Sequence, residues 1–276
     1  MKRLLLMLLL ACSAWGQVTY IGPVVPPLPG YLKGYWLFNE NTGTTAGDSS
    51  GTGYDLTLTN GPGWVASKAG YKYAVSCTAA QSQYCKKTVA NPYPDQQGGI
   101  FVWIKIASSG ANKVIFSSSD EATILYSFLF WISANDSLRL THIDNVTAND
   151  AMRGIYKFNN DTWYHVGVTS NGSHYTFYVN GDTIPSIAVA GANTGDWLGD
   201  IANRDHADWG ARERPTTDLY WDGCLDQCMY YNTPPEGWEV KQLYMDTQEG
   251  HINPKYSADS TIIGGLSQDS TLIGKQ

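Results

Sequence analysis

Charge is scarce in this chain and leans acidic: only 16% of its 276 residues are Asp, Glu, Lys or Arg, with 25 acids against 18 bases. No basic stripe exists to displace counterions from a phosphate backbone, so nucleic acid and anionic lipid are excluded as partners. Beyond the first residues no apolar run approaches the ~20 residues that a spanning helix needs. His-Glu-x-x-His and the phosphate-binding loop are absent, which removes those metalloprotease and nucleotide chemistries. Helical periods are missing from most of the length. Strands and turns account better for 28 Gly, 18 Tyr and 10 Trp, because aromatics favour pleated surfaces and glycines favour turns.

Residues 1–16, MKRLLLMLLLACSAWG, read as a signal peptide. Lys2 and Arg3 precede an apolar core at 4–11, and Ala14 or Gly16 offers a cleavage position. LLAC, ending at Cys12, resembles a lipobox and makes Cys12 a candidate lipid anchor. The expectation is an exported protein, secreted or at the cell surface. Cleavage removes Cys12 and two cations, leaving 16 − 25 = −9 as the formal charge. Cys77, Cys85, Cys224 and Cys228 remain, enough for two disulfides in an oxidising compartment, with three possible connectivities. In a regular strand Cys224 and Cys228 lie about 13 Å apart, whereas a disulfide tolerates at most ~7 Å between Cα atoms. The expected bonds therefore join segment 77–85 to segment 224–228.

Residues 17–30 form a Pro- and Gly-rich lead-in. Short apolar runs then recur between turn signals, a pattern of antiparallel strands in a sandwich or barrel. WYHVGVTSNGSHYTFYVNG (163–181) reads as a hairpin turning at Asn171-Gly172, which pairs Val168 with Tyr175, Val166 with Phe177 and Tyr164 with Val179. That puts the apolar residues on one face and Trp163, His165, Gly167 and Thr169 on the other. One helix is expected at 234–244, with Trp238, Val240, Leu243 and Tyr244 covering a sheet end. The tail, 249–276, carries two D-S-T-[I/L]-I-G repeats at Asp259 and Asp269, too few for a solenoid.

The segments GYWLFNENTGTTAGDSSGTGYDLTLTNGPGW, YAVSC…QYC, GIFVWIKI, DTWYHVGVTSNGSHYTFYVNG and WDGCLDQCMYYNTPPEGWEVKQLY, in that order, resemble the laminin-G-like jelly rolls. These belong to the concanavalin A-like lectin/glucanase superfamily. The resemblance covers residues 31–246 within a domain expected at 31–248. It implies two antiparallel sheets face to face, with the first and last strands close together. It also makes Trp36, Trp103, Trp163 and His165 packing residues. The superfamily includes glycoside hydrolases, but their Glu-x-Asp-x-(x)-Glu strand pattern is missing here, so no paired carboxylates for hydrolysis are expected.

Such sandwiches bind through rim loops, and the longest polar stretch is 199–223. Its Arg204, His206, Asp208, Trp209, Arg212, Tyr220 and Trp221 make a candidate glycan site, with aromatics for stacking and charged groups for hydroxyls. Trp209 is expected to be exposed there. Trp221 could equally be core, and the whole stretch a solvated insertion. Similarity to pentraxins offers Asp120, Glu121, Asp200, Asn203 and Asp205 as Ca²⁺ ligands. A non-catalytic module for a glycan or glycoconjugate is the leading expectation. A structural or adhesive module binding protein in a surface or virion assembly is the alternative, and a glycoside hydrolase the lesser one.

Overall fold

A computed structural model describes residues 28, 30–68, 72–145 and 147–248. The expected signal peptide with Cys12, nearly all of the lead-in, and the repeat-bearing tail lie outside the described residues. The strands in chain order begin with β1 (Leu32–Trp36), β2 (Thr45–Ala46), β3 (Leu56–Thr59), β4 (Gly63–Ala66) and β5 (Tyr73–Cys77). Next come β6 (Tyr84–Thr88), β7 (Gly98–Ile106), β8 (Lys113–Ser119), β9 (Tyr126–Ile132), β10 (Leu138–Asp144) and β11 (Thr147–Gly154). The last are β12 (Trp163–Ser170), β13 (Tyr175–Val179), β14 (Asp182–Ile184), β15 (Ser186–Gly191), β16 (His206–Trp209) and β17 (Gly223–Tyr231), before helix α1 (Gly237–Gln248).

Two antiparallel sheets result. One runs β14-β13-β12-β7-β17, after which β5-β4 flank one half of β17 and β1 the other. The second runs β15-β11-β10-β9-β8-β16-β6-β3-β2. As the resemblance implies, the first and last strands pair, Leu32 opposite Tyr231 and Trp36 opposite Cys228. Period-two alternation feeds one core between the sheets, with Val166, Val168 and Phe177 meeting Phe116, Phe128 and Trp197.

The hairpin keeps its apolar face but not its register. Val168 lies opposite Phe177, Val166 opposite Val179 and Ser170 opposite Tyr175, two residues from the expected pairing. Asn171-Gly172 is not the two-residue turn. The Asn171 side chain instead accepts the backbone N–H groups of Ser173 and His174, forming an Asx turn within a four-residue loop. The tight turn sits at the second Asn-Gly, between β13 and β14, where Asn180 and Gly181 have φ of 52° and 80°, as a type I′ turn demands.

The outer face of the first sheet lies under α1. Phe101, Tyr178, Met229 and Tyr231 pack there against Val240 and Leu243. Trp103 donates its indole N–H to Thr247 Oγ1 (2.9 Å) and stacks on Tyr244. The helix starts three residues later than expected, and Trp238, expected to cover the sheet, is 63% exposed. Val240, Leu243 and Thr247 form the stripe that meets the sheet. Gly167 is glycine for contact: a Cβ there would lie 2.2 Å from the Phe101 ring.

The four cysteines among the described residues are buried thiols. A one-residue bulge in β17 separates Cys224 from Cys228. Asp226 lies opposite Trp103 while Met229 lies opposite Phe101, so three residues advance against two. Side-chain parity flips at the bulge: Leu225 and Cys228 both face the inter-sheet core, and Cys224 faces outward. The expected bonds between the two segments are not formed; the neighbouring Cys77 thiol and burial raise the Cys85 pKa.

Two buried side chains give measurable consequences. His165 is enclosed by Phe101, Trp103 and Tyr244, and burial, with the Lys68 charge, lowers its pKa to about 3. The folded state thus binds fewer protons than the unfolded chain below pH 6.5, and this stability is lost as pH falls toward 3. Between pH 6.5 and 5 the loss is about 2 kcal/mol; His165→Leu should flatten that part of the stability–pH curve in urea titrations. Trp209 is wedged edge-on against Trp36 and Phe116, at centroid distances of 5.8 and 5.0 Å. Trp209→Ala should cost ~3–5 kcal/mol by the same titration at unchanged m-value.

Candidate functional site

The 199–223 stretch is not a surface loop. It supplies an internal strand, β16, hydrogen-bonded to β6 and β8. Trp209, expected outside, is fully buried, and Trp221, His206 and Asp208 are buried with it; Arg204 is 2% exposed. The physical reason is a strand with unlike faces: Ala207 and Trp209 enter the core, while charged His206 and Asp208 mask the alternation in the sequence. Arg212 and Tyr220 are half-buried and engaged within their own hairpin, Arg212 in an ion pair with Asp218 and Tyr220 bonded to the Thr217 carbonyl. Nothing in this set offers an open aromatic face to a sugar.

The calcium set is not assembled either. Asp120 accepts the Ala122 N–H (2.7 Å), Asp200 the Trp197 N–H (2.7 Å) and Asp205 the Glu121 N–H (3.2 Å). Glu121 and Asp205 come together with His206. Calcium wants six to eight oxygens, and the group formed here is two carboxylates beside an imidazole.

A recess of 230 Å³ opens elsewhere, lined by Lys33, Thr52, Tyr54, Tyr93, Pro94 and Asp95. One wall is the loop 47–55, and Asp48 organises it. Its carboxylate accepts the N–H groups of Tyr35, Ser50 and Tyr54 and the Thr52 hydroxyl at 2.6–3.0 Å. Burial works against the Asp48 charge, but the bonds from Thr52, Ser50 and Tyr54 outweigh it and hold the carboxyl below its ordinary pKa. The loop carries the spacing Gly-x-Ser-x-Gly (47–51). It joins two strands, β2 and β3, rather than the strand and helix of a nucleophile elbow.

The other wall is segment 92–95, pinned from beneath by Arg204. This buried guanidinium donates to the carbonyls of Pro92, Tyr93 (3.3 Å) and Ile201 (3.3 Å), and burial lowers its pKa to about 10. Tyr93 is held at φ 54°, a left-handed conformation uncommon for a bulky side chain. Its ring stacks on Tyr230 at 3.9 Å and meets Tyr54 edge-on at 5.3 Å. Tyr230 in turn donates its hydroxyl to Asp95 Oδ2 (3.3 Å). Burial raises the Asp95 pKa, opposed by that bond and by Lys33. Half-buried Tyr54, a carboxylate, an ammonium and a hydroxyl thus converge on one hollow, with Tyr93, 2% exposed, packed against Tyr54 and Tyr230.

Of the residues singled out from sequence, Arg204 touches this arrangement as its support, and Trp36 donates its indole N–H to the Tyr54 carbonyl (2.9 Å). Tyr54 and Tyr93 were legible only as GDSSGTGYD and NPYPD, two turn-rich stretches with a tyrosine each. A family model described as concanavalin A-like lectin/glucanases superfamily, of the laminin G type, matches residues 79–241. No curated protein sequence matches the chain. Among solved structures it is similar to domain 4 of AbnA, a GH43 extracellular arabinanase from Geobacillus stearothermophilus, in complex with arabinotriose. The TM-score is 0.58 at 15% identity, over 78% of this chain and 98% of that one. It is also similar to Trypanosoma rangeli sialidase (TM-score 0.58, 14% identity), over 80% of this chain but 33% of the enzyme's. At such identities the likeness is one of fold. With the family model matching more than half of its length, on two face-to-face antiparallel sheets, the chain belongs to the laminin G-like family of the concanavalin A-like lectin/glucanase superfamily.

Proposed function

We propose that the chain is an exported, non-catalytic carbohydrate-binding module that takes one sugar residue in the recess beside Tyr54. The observation that carries this reading is the convergence of the half-buried Tyr54 ring with Asp95, Lys33 and Thr52 on a single hollow. Aromatic faces suit the apolar face of a pyranose or furanose, and charged and hydroxyl groups suit its hydroxyls. At 230 Å³ the hollow is below the ~300–1,000 Å³ of drug-sized sites, which favours one ring over an extended chain. Asp95 is the single carboxylate among the lining residues, whereas retaining hydrolysis needs two about 5–5.5 Å apart. The arabinanase domain of the same fold holds arabinotriose, a precedent for the framework alone.

A glycan array followed by calorimetry on the best ligand tests this. Tyr54→Ala should weaken binding by about 30-fold, the ~2 kcal/mol typical of an aromatic anchor. Asp95→Asn should weaken it by about 10-fold, as for a lost bond to a charged group. Both variants should keep a cooperative melt. Binding untouched by either change rules out the recess.

A second reading, an adhesive protein-interaction module, is favoured by the edge strand β15, where Ile187 and Val189 are 40% and 46% exposed. Lysine on an edge strand blocks strand addition. Ile187→Lys with Val189→Lys should therefore abolish concentration-dependent association in sedimentation while leaving any sugar binding intact.

A further inference from the structure

His206 and Asp208 project from β16 on the face away from the core, and the segment after it folds back so that Glu213 meets them. Their ligand atoms lie within 4.8 Å of one another. His206 Nε2–H donates to the Glu213 carbonyl at 3.0 Å, and Nδ1 faces Asp208 Oδ2 at 2.9 Å. Both Asp208 oxygens and His206 Nδ1 are fully buried without a hydrogen-bond partner. Two lone pairs at that distance repel unless a proton or a metal cation sits between them.

The surroundings demand positive charge. Four carboxyl groups, Glu121, Asp205, Asp208 and Glu213, crowd this cluster against one ammonium, Lys86, which pairs with Glu121 and Glu213 (2.8 Å to the latter). Lys86 is opposite Asp208 in register, yet it donates to the two glutamates and leaves the aspartate bare. Burial pushes the Asp208 carboxyl up to about 7, opposed by His206.

We propose that His206 Nδ1, the Asp208 carboxylate and Glu213 Oε2 form a site for a divalent transition-metal ion of the zinc class. The donor set is one imidazole nitrogen and two carboxylates, which suits such an ion better than calcium. A histidine whose second nitrogen donates to a backbone carbonyl, as His206 does, is the usual outer arrangement of a metal-bound imidazole. Bonds of about 2.0–2.2 Å bring tetrahedral ligand atoms to about 3.3 Å from one another. The His206–Asp208 pair is already near that spacing, and Glu213 Oε2, paired with Lys86 at 2.8 Å, would turn from that ammonium to the ion. The ion would staple the 211–218 hairpin to β16. This site is separate from the sugar recess and does not depend on it.

The test uses the full chain, stripped with chelator and then titrated with Zn²⁺ alone. The melting temperature should rise by about 5 °C or more once zinc exceeds its Kd a hundredfold, and Co²⁺ should give the visible absorption of a tetrahedral complex. Glu213→Gln and Asp208→Asn should each weaken zinc binding by at least about 100-fold, since outer-shell changes alone commonly cost about 10–100-fold. Asp200→Asn, outside the cluster, should leave it unchanged. Should Asp208→Asn fail to fold, the half-buried Glu213 variant decides. A melting temperature indifferent to millimolar zinc, or a zinc response retained in Glu213→Gln, overturns the proposal.

Discussion

The extra residue in β17 is the constraint on which most of the molecule depends. Before it, Leu225 faces the inter-sheet core; after it, Cys228 and Tyr230 do, while Met229 and Tyr231 turn outward to seat α1. Without the bulge this parity would be reversed along half the strand, and Tyr230 could not reach under Tyr93. The bulge also costs two buried polar side chains, and each is answered. Asp226 pairs with Lys68 at 2.8 Å. Gln227, at φ 47°, accepts the Tyr35 hydroxyl and donates to the Thr247 carbonyl of α1. Strand, helix and rim are thus set by one irregularity.

Buried charge follows the same logic throughout. Arg204 spends its donors on main-chain carbonyls and the Ser118 hydroxyl (3.0 Å), so a cation with almost no exposure fixes a loop that has no regular structure of its own. A buried guanidinium is tolerable only when its N–H groups find acceptors, and the Pro92 and Tyr93 carbonyls supply them. The recess is then preorganised from two sides, by Arg204 under 92–95 and by Asp48 within 47–55. Neither side chain lines the hollow. Both act by holding the rings that do.

The sandwich was legible because its signals are local and repeated: apolar alternation in WYHVGVTS and YTFYV, turn residues between runs, and paired end segments. The hairpin register was not, because two Asn-Gly pairs stand nine residues apart and composition alone cannot say which adopts two positive φ values. The candidate site was misread for a related reason. DHADW looks like a polar loop, yet alternate residues of a strand face opposite ways. One Trp can be core while its charged neighbours sit in a buried cluster.

The sequence by itself determined the class of fold, because a period of two with turn residues between runs admits few other packings. It also determined the inward direction of the aromatic-rich strands. The tertiary structure decided which polar residues are buried, where the strand parity flips, and that Tyr54 and Tyr93, 39 positions apart, share one hollow. Those outcomes depend on contacts between distant segments, on Arg204 reaching Pro92 and on β17 finding β1 and β5 on one side. Local propensity carries no information about partners so far along the chain.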